Sequence, residues 1–226
     1  DAIEKVLDQI IAASHFKTWK LDEKRSYRQG VPKAHYELEY ESDVNRNSNY
    51  ILLDILFEKA HYPAVQLKPI RSTWIETEAI IEINLPTIEA ITGDKLTAFA
   101  PNTTGILYGK GKELEIIKQL FDLGNLFEQI ATPEEVALSF AAFAKQEMTY
   151  RDLNMQHSDI LNDTVDTCRI ICFRERNRGE RDKSRFAELQ NGIRSFGSYL
   201  IYGRFTIDEA MAAAAKVAYR CAKLLK

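Results

Sequence analysis

Residues 79–100 read AIIEINLPTIEAITGDKLTAFA, and the pattern of the chain changes within this stretch. Up to Leu85 and Pro86 the residues favour a β-strand, which we predict at 79–84. Thr87 has the side chain of a helix N-cap, and residues 88–100 are predicted to form a helix. The stretch therefore predicts a β-rich half followed by a helical half, which is the organisation of an α+β protein.

The residues before this boundary predict one helix and several strands. Apolar residues recur at helical spacing over 2–14, which predicts an amphipathic helix. Residues 34–41 alternate, with Tyr36 and Leu38 on one face, as in a strand that is covered on one side. Residues 50–57, YILLDILF, are rich in β-forming residues, so we predict a strand that is buried on both faces. Further strands are predicted to begin at Phe16 and to span 64–70.

After residue 100 the sequence predicts helices only. Thr132-Pro133-Glu134-Glu135 and Thr206-Ile207-Asp208-Glu209 each have the order of a capping box, so a helix is predicted to begin at both. The other predicted helices span 111–130, 157–173 and 183–201. We therefore expect two domains: residues 1–100, a lobe with a mixed or antiparallel β-sheet and flanking helices, and residues 101–226, a helical bundle.

Composition excludes several classes of protein. The 226 residues carry 30 Lys and Arg against 33 Asp and Glu, so a net charge of −3 gives no overall basic field for nucleic acid. No apolar run is long enough to predict a membrane span, and no stretch of these residues predicts a secretory signal. The three cysteines, Cys168, Cys172 and Cys221, cannot pair completely, which favours a reducing cytoplasm.

Asp54 is a candidate metal ligand because it interrupts the apolar run from Ile51 to Phe57. A carboxylate inside an apolar strand is costly to bury unless it is paired or binds a metal. At the open face of a sheet, such a residue is suited to hold Mg²⁺. The alternative is a structural Asp that is bonded to an arginine or a backbone amide, and the pattern does not choose between the two.

Two further polar pairs lie in the predicted helices. Lys95, which follows Asp94, lies at the edge of an apolar face, where its ammonium group is either a phosphate contact or a solvated surface charge. Lys118 and Asp122 are four residues apart, the usual spacing of an ion pair along one helix. Asp122 lies between Phe121 and Leu123, which also permits it to point inward.

Two local basic segments, at 17–33 and 169–185, contrast with the acidic chain as a whole. They are suited to contact an RNA backbone, and the alternative is a pair of solvated surface segments. The basic residues are Lys17, Lys20, Lys24, Arg25, Arg28 and Lys33 in the first, and Arg169, Arg174, Arg176, Arg178, Arg181, Lys183 and Arg185 in the second.

Three of these features, in this order, resemble the AbiEii/AbiGii abortive-infection toxin family, nucleotidyltransferases of the DNA-polymerase-β-like superfamily. The family has a strand Asp or Glu, then an [E/D]-K-[L/I]-x-A motif, then a helix motif similar to [R/K]-D-L-Y-D-L. Here these correspond to Asp54, to DKLTAFA at 94–100 and to KQLFDL at 118–123. Gln119 departs from the last motif, since an acidic residue is common at its position. The resemblance covers about residues 45–130.

The resemblance implies a fold, a reaction and a role for each matching residue. In the intact protein, Mg²⁺ and a nucleoside triphosphate (NTP) would bind, and a hydroxyl group would displace pyrophosphate from the α-phosphate. Asp54 would match the third metal-binding carboxylate, and Lys95 would neutralise phosphate charge. Asp122 would orient Lys95 or bind the nucleotide or acceptor, while Asp94 and Lys118 would contact the nucleotide. The implied partners are a cognate antitoxin and an acceptor such as tRNA or another RNA.

The superfamily's Gly-Gly or Gly-Ser helix start and its Asp-x-Asp strand are not found in this sequence. Asp1 falls about where the chain would be leaving that strand. We therefore expect either a fragment of a longer protein or a member that lost the site, and no transferase activity from the 226 residues alone. The alternative function is a non-catalytic protein- or RNA-binding module that retains the scaffold.

Overall fold

The computed structural model describes residues 2–26, 31–73 and 77–225. The chain divides into two compact units, residues 1–60 and residues 61–226. The helix at 88–98 packs with later helices and belongs to the second unit, and the domain boundary predicted after residue 100 remains a prediction. Together the units form the α+β fold that the sequence predicts, with small antiparallel sheets and flanking helices before a helical region.

The first unit is a three-stranded antiparallel sheet with one long helix on it. The order in the sheet is β1-β2-β3, so β2 is the central strand. Its elements are α1 (Ala2–Ala13), β1 (Phe16–Leu21), α2 (Glu23–Ser26), β2 (Lys33–Glu41) and β3 (Ser48–Leu56). Helix α1 buries Leu7 against Tyr36 and Leu38 of β2, and this confirms the alternation that the sequence predicts for 34–41.

Strand β3 is present where the sequence predicts it, but the prediction that both of its faces are buried is wrong. Leu53 and Ile55 pack against the cluster around Leu7, whereas Ile51 and Leu52 are 52% and 44% exposed. Among the described strands β3 pairs only with β2, so it lies at the edge of its sheet. The sequence of an apolar strand is the same whether one or two of its faces are covered, and within the described part of this unit the covered face is the one that carries Leu53 and Ile55.

The second unit begins with two antiparallel strands and continues as a set of helices. Strands β4 (Val65–Pro69) and β5 (Glu82–Pro86) pair with each other, and β5 ends directly before the next helix. The helices are α3 (Ile88–Ala98), α4 (Glu113–Leu126), α5 (Pro133–Arg151), α6 (His157–Phe173), α7 (Glu180–Phe196) and α8 (Ile207–Leu224). They share one hydrophobic core, to which fully buried Leu96, Ile117 and Leu120 contribute.

The helix starts show which of the predicted capping residues act as caps. Thr87 caps α3, since its side-chain oxygen accepts a hydrogen bond from the backbone N–H of Ala90 at 3.1 Å. Thr206 and Glu209 form the predicted capping box of α8. The box predicted at Thr132 is absent, because Glu135 instead accepts a hydrogen bond from the Thr87 hydroxyl and so links α5 to the start of α3.

Within residues 2–26, 31–73 and 77–225, no helix combines the length and apolar character that spanning a bilayer requires.

Candidate functional site

Helices α3 and α4 are joined by an ion pair between two of the predicted site residues. The Lys95 ammonium nitrogen lies 2.7 Å from Asp122 Oδ2, and both side chains are 27% exposed. The same nitrogen lies 3.3 Å from the side-chain oxygen of Gln119, one turn earlier on α4. An ammonium group has three N–H donors, so one donor is left without a partner among the described residues. Lys95 can therefore donate to an incoming anion such as a phosphate oxygen.

The apolar residues of both helices determine where this polar cluster lies. Leu96, next to Lys95, is fully buried in the core, as are Leu120 and Leu123, which flank the polar positions of α4. Burying these leucines rotates Gln119 and Asp122 to the edge of the buried face of α4, where the Lys95 side chain reaches them. Helix packing therefore brings together residues that lie 27 positions apart.

Asp94 lies beside Lys95 but has a different partner. Its Oδ2 accepts a hydrogen bond of 2.7 Å from the Tyr62 hydroxyl, and the Tyr62 ring packs on Phe143 with a centroid separation of 4.7 Å. Burial raises the pKa of Asp94, although the Tyr62 hydrogen bond and the charge of Lys95 act in the opposite direction. Burial, with the nearby Asp94 charge, also raises the pKa of Tyr62. The sequence did not single out Tyr62, since no motif links it to Asp94 32 residues later.

Lys118 does not form the ion pair that its spacing permits. Its side chain is exposed, and among the residues that the structure describes it has no ion-pair partner, because Asp122 turns toward Lys95 instead. The inward orientation of Asp122, which the sequence left open, is therefore the one that the structure adopts.

Asp54 lies in the other unit and is held by two basic groups. Its partner across the sheet is His35 of β2, and His35 Nδ1 lies 2.5 Å from Asp54 Oδ1. Arg25 lies 3.7 Å from the other carboxylate oxygen, and the Asp54 side chain remains 55% exposed. The hydrogen bond from His35, supported by the charges of His35 and Arg25, lowers the pKa of Asp54. The antiparallel register that places His35 opposite Asp54 is not visible in the sequence.

Asp54 meets part of what the implied Mg²⁺ requires. An ionised, half-exposed carboxylate is a suitable single ligand for this cation. However, the described residues contain no group of three or more His, Cys, Asp or Glu side chains that could hold a metal ion. The described residues around Asp54 therefore do not form a metal site with three or more such ligands.

The second basic segment, 169–185, is largely paired within the protein. Arg169 bridges Asp166 and Asp182, with N–O distances of 2.8 and 2.6 Å. The other internal ion pairs are Arg174 with Asp208, Arg181 with Asp182, Lys183 with Glu180, and Arg185 with Asp166. These pairs reduce the positive charge that the segment offers to a partner. In the first segment, Arg28 lies outside the described residues.

Comparison with known proteins identifies the class to which this arrangement belongs. The family model described as the nucleotidyl transferase AbiEii toxin of the type IV toxin–antitoxin (TA) system matches residues 1–213. The chain therefore belongs to the AbiEii family of nucleotidyltransferase toxins, as its motifs predict, and a toxin of such a system has a cognate antitoxin as its partner. No curated protein and no solved structure matches the chain.

Proposed function

We propose that the intact protein transfers a nucleotide from an NTP to an acceptor, as the toxin of a type IV TA system, and that the 226 residues alone do not. The observation that carries the proposal is the 2.7 Å ion pair between Lys95 and Asp122. These residues match two separate motifs of the family, and α3 and α4 hold them together. A contact between two motif residues is expected if both serve one site. The family match over residues 1–213 supports the same reaction.

Each residue has a defined part in the proposed reaction. Lys95 donates to a phosphate oxygen and offsets the negative charge that develops during transfer. Asp122 positions the Lys95 ammonium group, and Asp54 would offer one carboxylate ligand to a bound Mg²⁺. The proposed nucleotide contacts are Lys118 and Asp94, and the hydroxyl of Tyr62 holds the Asp94 carboxylate in place. The acceptor hydroxyl oxygen bonds to the α-phosphorus, the bond to the β-phosphate oxygen breaks, and the hydroxyl proton passes to solvent as pyrophosphate leaves.

The acceptor and the location are part of the same proposal. We infer that the acceptor is an RNA, with tRNA the first to test, because RNA ends carry the free hydroxyl groups that the reaction needs. The cytoplasm is the proposed location, and the three free thiols of Cys168, Cys172 and Cys221 support it, since disulfides are rare in reducing compartments.

The test uses the toxin expressed from its complete reading frame, with labelled NTPs, Mg²⁺ and total tRNA. Wild-type protein is expected to transfer label, and Lys95→Ala is expected to lower the rate by about 10²-fold or more, as removal of one charge-stabilising group does in other enzymes. Asp122→Asn is expected to lower the rate as well, since the lysine loses its charged partner. Lys112→Ala, which removes an exposed lysine at the start of α4, is the matched control and should retain the wild-type rate.

Two results would contradict the proposal. If the wild-type protein binds tRNA but transfers no label, the non-catalytic binding module is the better function. If label is transferred equally by wild type and Lys95→Ala, the reaction is retained and the site assignment is wrong.

A further inference from the structure

The loop between α7 and α8, residues 197–204, exposes large apolar side chains to solvent. Tyr199 and Tyr202 are 69% and 80% exposed, and Ile201, which lies between them in the sequence, is 70% exposed. A group of such side chains on the surface marks a site of contact with another molecule, and tyrosine is enriched at these sites. The loop is therefore a candidate binding surface.

The loop is anchored beside the proposed phosphate contact. Phe196 and Phe205, which flank it, pack on each other with ring centroids 5.5 Å apart. Both rings also pack on Phe121 of α4, at 5.1 and 5.3 Å. In the sequence, Phe121 directly precedes Asp122, the partner of Lys95. The three rings therefore fix both ends of the loop to the helix that carries part of the proposed site.

Two arginines next to this loop can bind an anion. Arg194, in the last turn of α7, and Arg204 are exposed, and neither forms an ion pair with a residue that the structure describes. Arg204 acts electrostatically on Glu209, but that carboxylate already accepts a hydrogen bond from the backbone N–H of Thr206. In the segment 169–185, by contrast, internal ion pairs occupy most of the arginines. The charge of Arg194 and Arg204 is therefore available to a partner.

Both arginines line one surface pocket, with a volume of about 400 Å³. Phe205 and Thr206 belong to the same lining, and its described residues include no acidic side chain. The pocket walls therefore do not repel an anion. The volume is within the range of sites that hold small ligands, so the pocket admits one nucleotide unit.

We propose that the loop 197–204 and this pocket bind a single-stranded segment of the acceptor RNA. Tyrosine rings stack on unpaired bases and arginines pair with phosphates, which is the combination that surfaces for single-stranded nucleic acids use. An apolar protein surface would match the tyrosines alone, whereas an RNA strand matches both the rings and the positive charge. This inference rests on the proposed function, since it takes the acceptor to be an RNA.

The first experiment tests the stacking. It measures the Kd of a fluorescent RNA single strand of about ten nucleotides by anisotropy, with protein from the complete reading frame. Tyr199→Ala is expected to weaken binding about tenfold, the effect of losing one base stack, whereas Tyr199→Phe keeps the ring and should bind like the wild type. Tyr219→Ala is the matched control, since it removes a tyrosine of α8 that is 61% exposed. The same RNA annealed to its complement should bind more weakly.

The second experiment tests the phosphate contact through its dependence on salt. Arg204→Ala should weaken binding of the single strand and lower the slope of log Kd against log salt concentration by about 0.7, the value for one phosphate contact. Lys145→Ala, which removes one exposed positive charge from α5, is the control and should leave the slope unchanged. Because the substituted side chains are exposed, the melting temperature of every variant should stay near that of the wild type.

The outcomes separate this inference from the proposed function. If Tyr199→Ala and Arg204→Ala bind the single strand like the wild type, the inference is wrong, and transfer of label to tRNA by the wild type would still uphold the proposed function. If both variants weaken binding but the wild type transfers no label, the RNA surface stands and the transfer reaction is wrong. If Tyr199→Ala changes the oligomeric state in sedimentation and leaves Kd unchanged, the loop joins two copies of the chain and the inference is overturned.

Discussion

At the scale of single residues, Asp182 is an example of a carboxylate that pairs with basic side chains inside the protein. Its Oδ2 lies 2.6 Å from Arg169 and its Oδ1 lies 2.9 Å from Arg181. Arg169 belongs to α6, so the contact ties α6 to the start of α7. The hydrogen bond from Arg169, followed by the one from Arg181, lowers the pKa of Asp182.

This lowered pKa predicts a pH-dependent contribution to stability. Between the folded-state pKa and the ordinary value of 3.8, the unfolded chain binds more protons, so stability rises with pH in that range. The contribution is therefore complete above the ordinary value and is lost as the pH falls through the folded-state pKa. Asp182→Asn should cost about 1–2 kcal/mol at pH 7, as loss of charged hydrogen bonds does, and the difference from wild type should shrink toward pH 3. Urea unfolding at both pH values measures it.

Asp43→Asn is the control for this prediction, because the Asp43 side chain is 98% exposed in the loop between β2 and β3. It should unfold like the wild type at both pH values. A constant difference between wild type and Asp182→Asn across the range would show that the ionised carboxylate is not the cause.

The residue scale also shows what spacing along the chain can and cannot predict. Spacing along the chain favoured Lys118 as the partner of Asp122, whereas only the family resemblance implied that Asp122 orients Lys95. The choice of Lys95 depends on how α3 packs on α4, which is a property of the core. The same limit applies to Asp54, whose partner His35 follows from the strand register.

At the scale of elements, Gly93 sets the distance between α3 and α5. A Cβ atom on Gly93 would lie 2.5 Å from the backbone nitrogen of Phe140 and 2.7 Å from the carbonyl oxygen of Val136. Both are atoms of the α5 backbone, which cannot move aside independently. The absence of a side chain therefore allows the two helices to pack closely just before Asp94 and Lys95.

Gly93→Ala is expected to destabilise the protein by about 2–3 kcal/mol, since overpacking against backbone forces two helices apart. Gly197→Ala is the matched control, because its added Cβ would meet nothing within 4 Å and its φ of −56° is helical. The control should melt within a few degrees of the wild type. Equal melting temperatures for the two variants would show that the close approach of α3 and α5 is not needed.

Element types were largely predictable, whereas their packing was not. The change from strands to helices after Pro86 and the capping box at Thr206 could be derived from local chemistry. The box at Thr132 could not, because Glu135 takes a partner 48 residues away that local sequence does not reveal. The exposure of β3 was also unpredictable, since an apolar strand looks the same whether one or two of its faces are covered.

At the scale of the whole molecule, the two compact units differ in how much core each contains. The described part of residues 1–60 has four buried apolar side chains in its cluster, Leu7, Ala34, Tyr36 and Leu38. The second unit has a continuous core that includes side chains from all six of its helices. A unit of about 60 residues is marginal by itself even with a good core. The two units should therefore differ in stability when separated.

Residues 61–226, expressed alone, are expected to keep a helical circular dichroism spectrum and a cooperative thermal transition. Residues 1–60 are expected to show no cooperative transition, because their small core cannot offset the entropy of ordering the chain. The cut lies in the segment between β3 and β4, so it divides no strand or helix. A gradual, non-cooperative melt of 61–226 would contradict this division.

The exposed edge of β3 bears on the solubility of the protein at high protein concentration. The outer backbone groups of this strand pair with no described strand, and Tyr50 and Ile51 are about half exposed. Two molecules that meet along such an edge continue each other's sheet, and nothing in the apolar side chains opposes the match. We therefore expect self-association along this edge to grow with protein concentration, and a binding partner that covers β3 to raise the solubility of the protein.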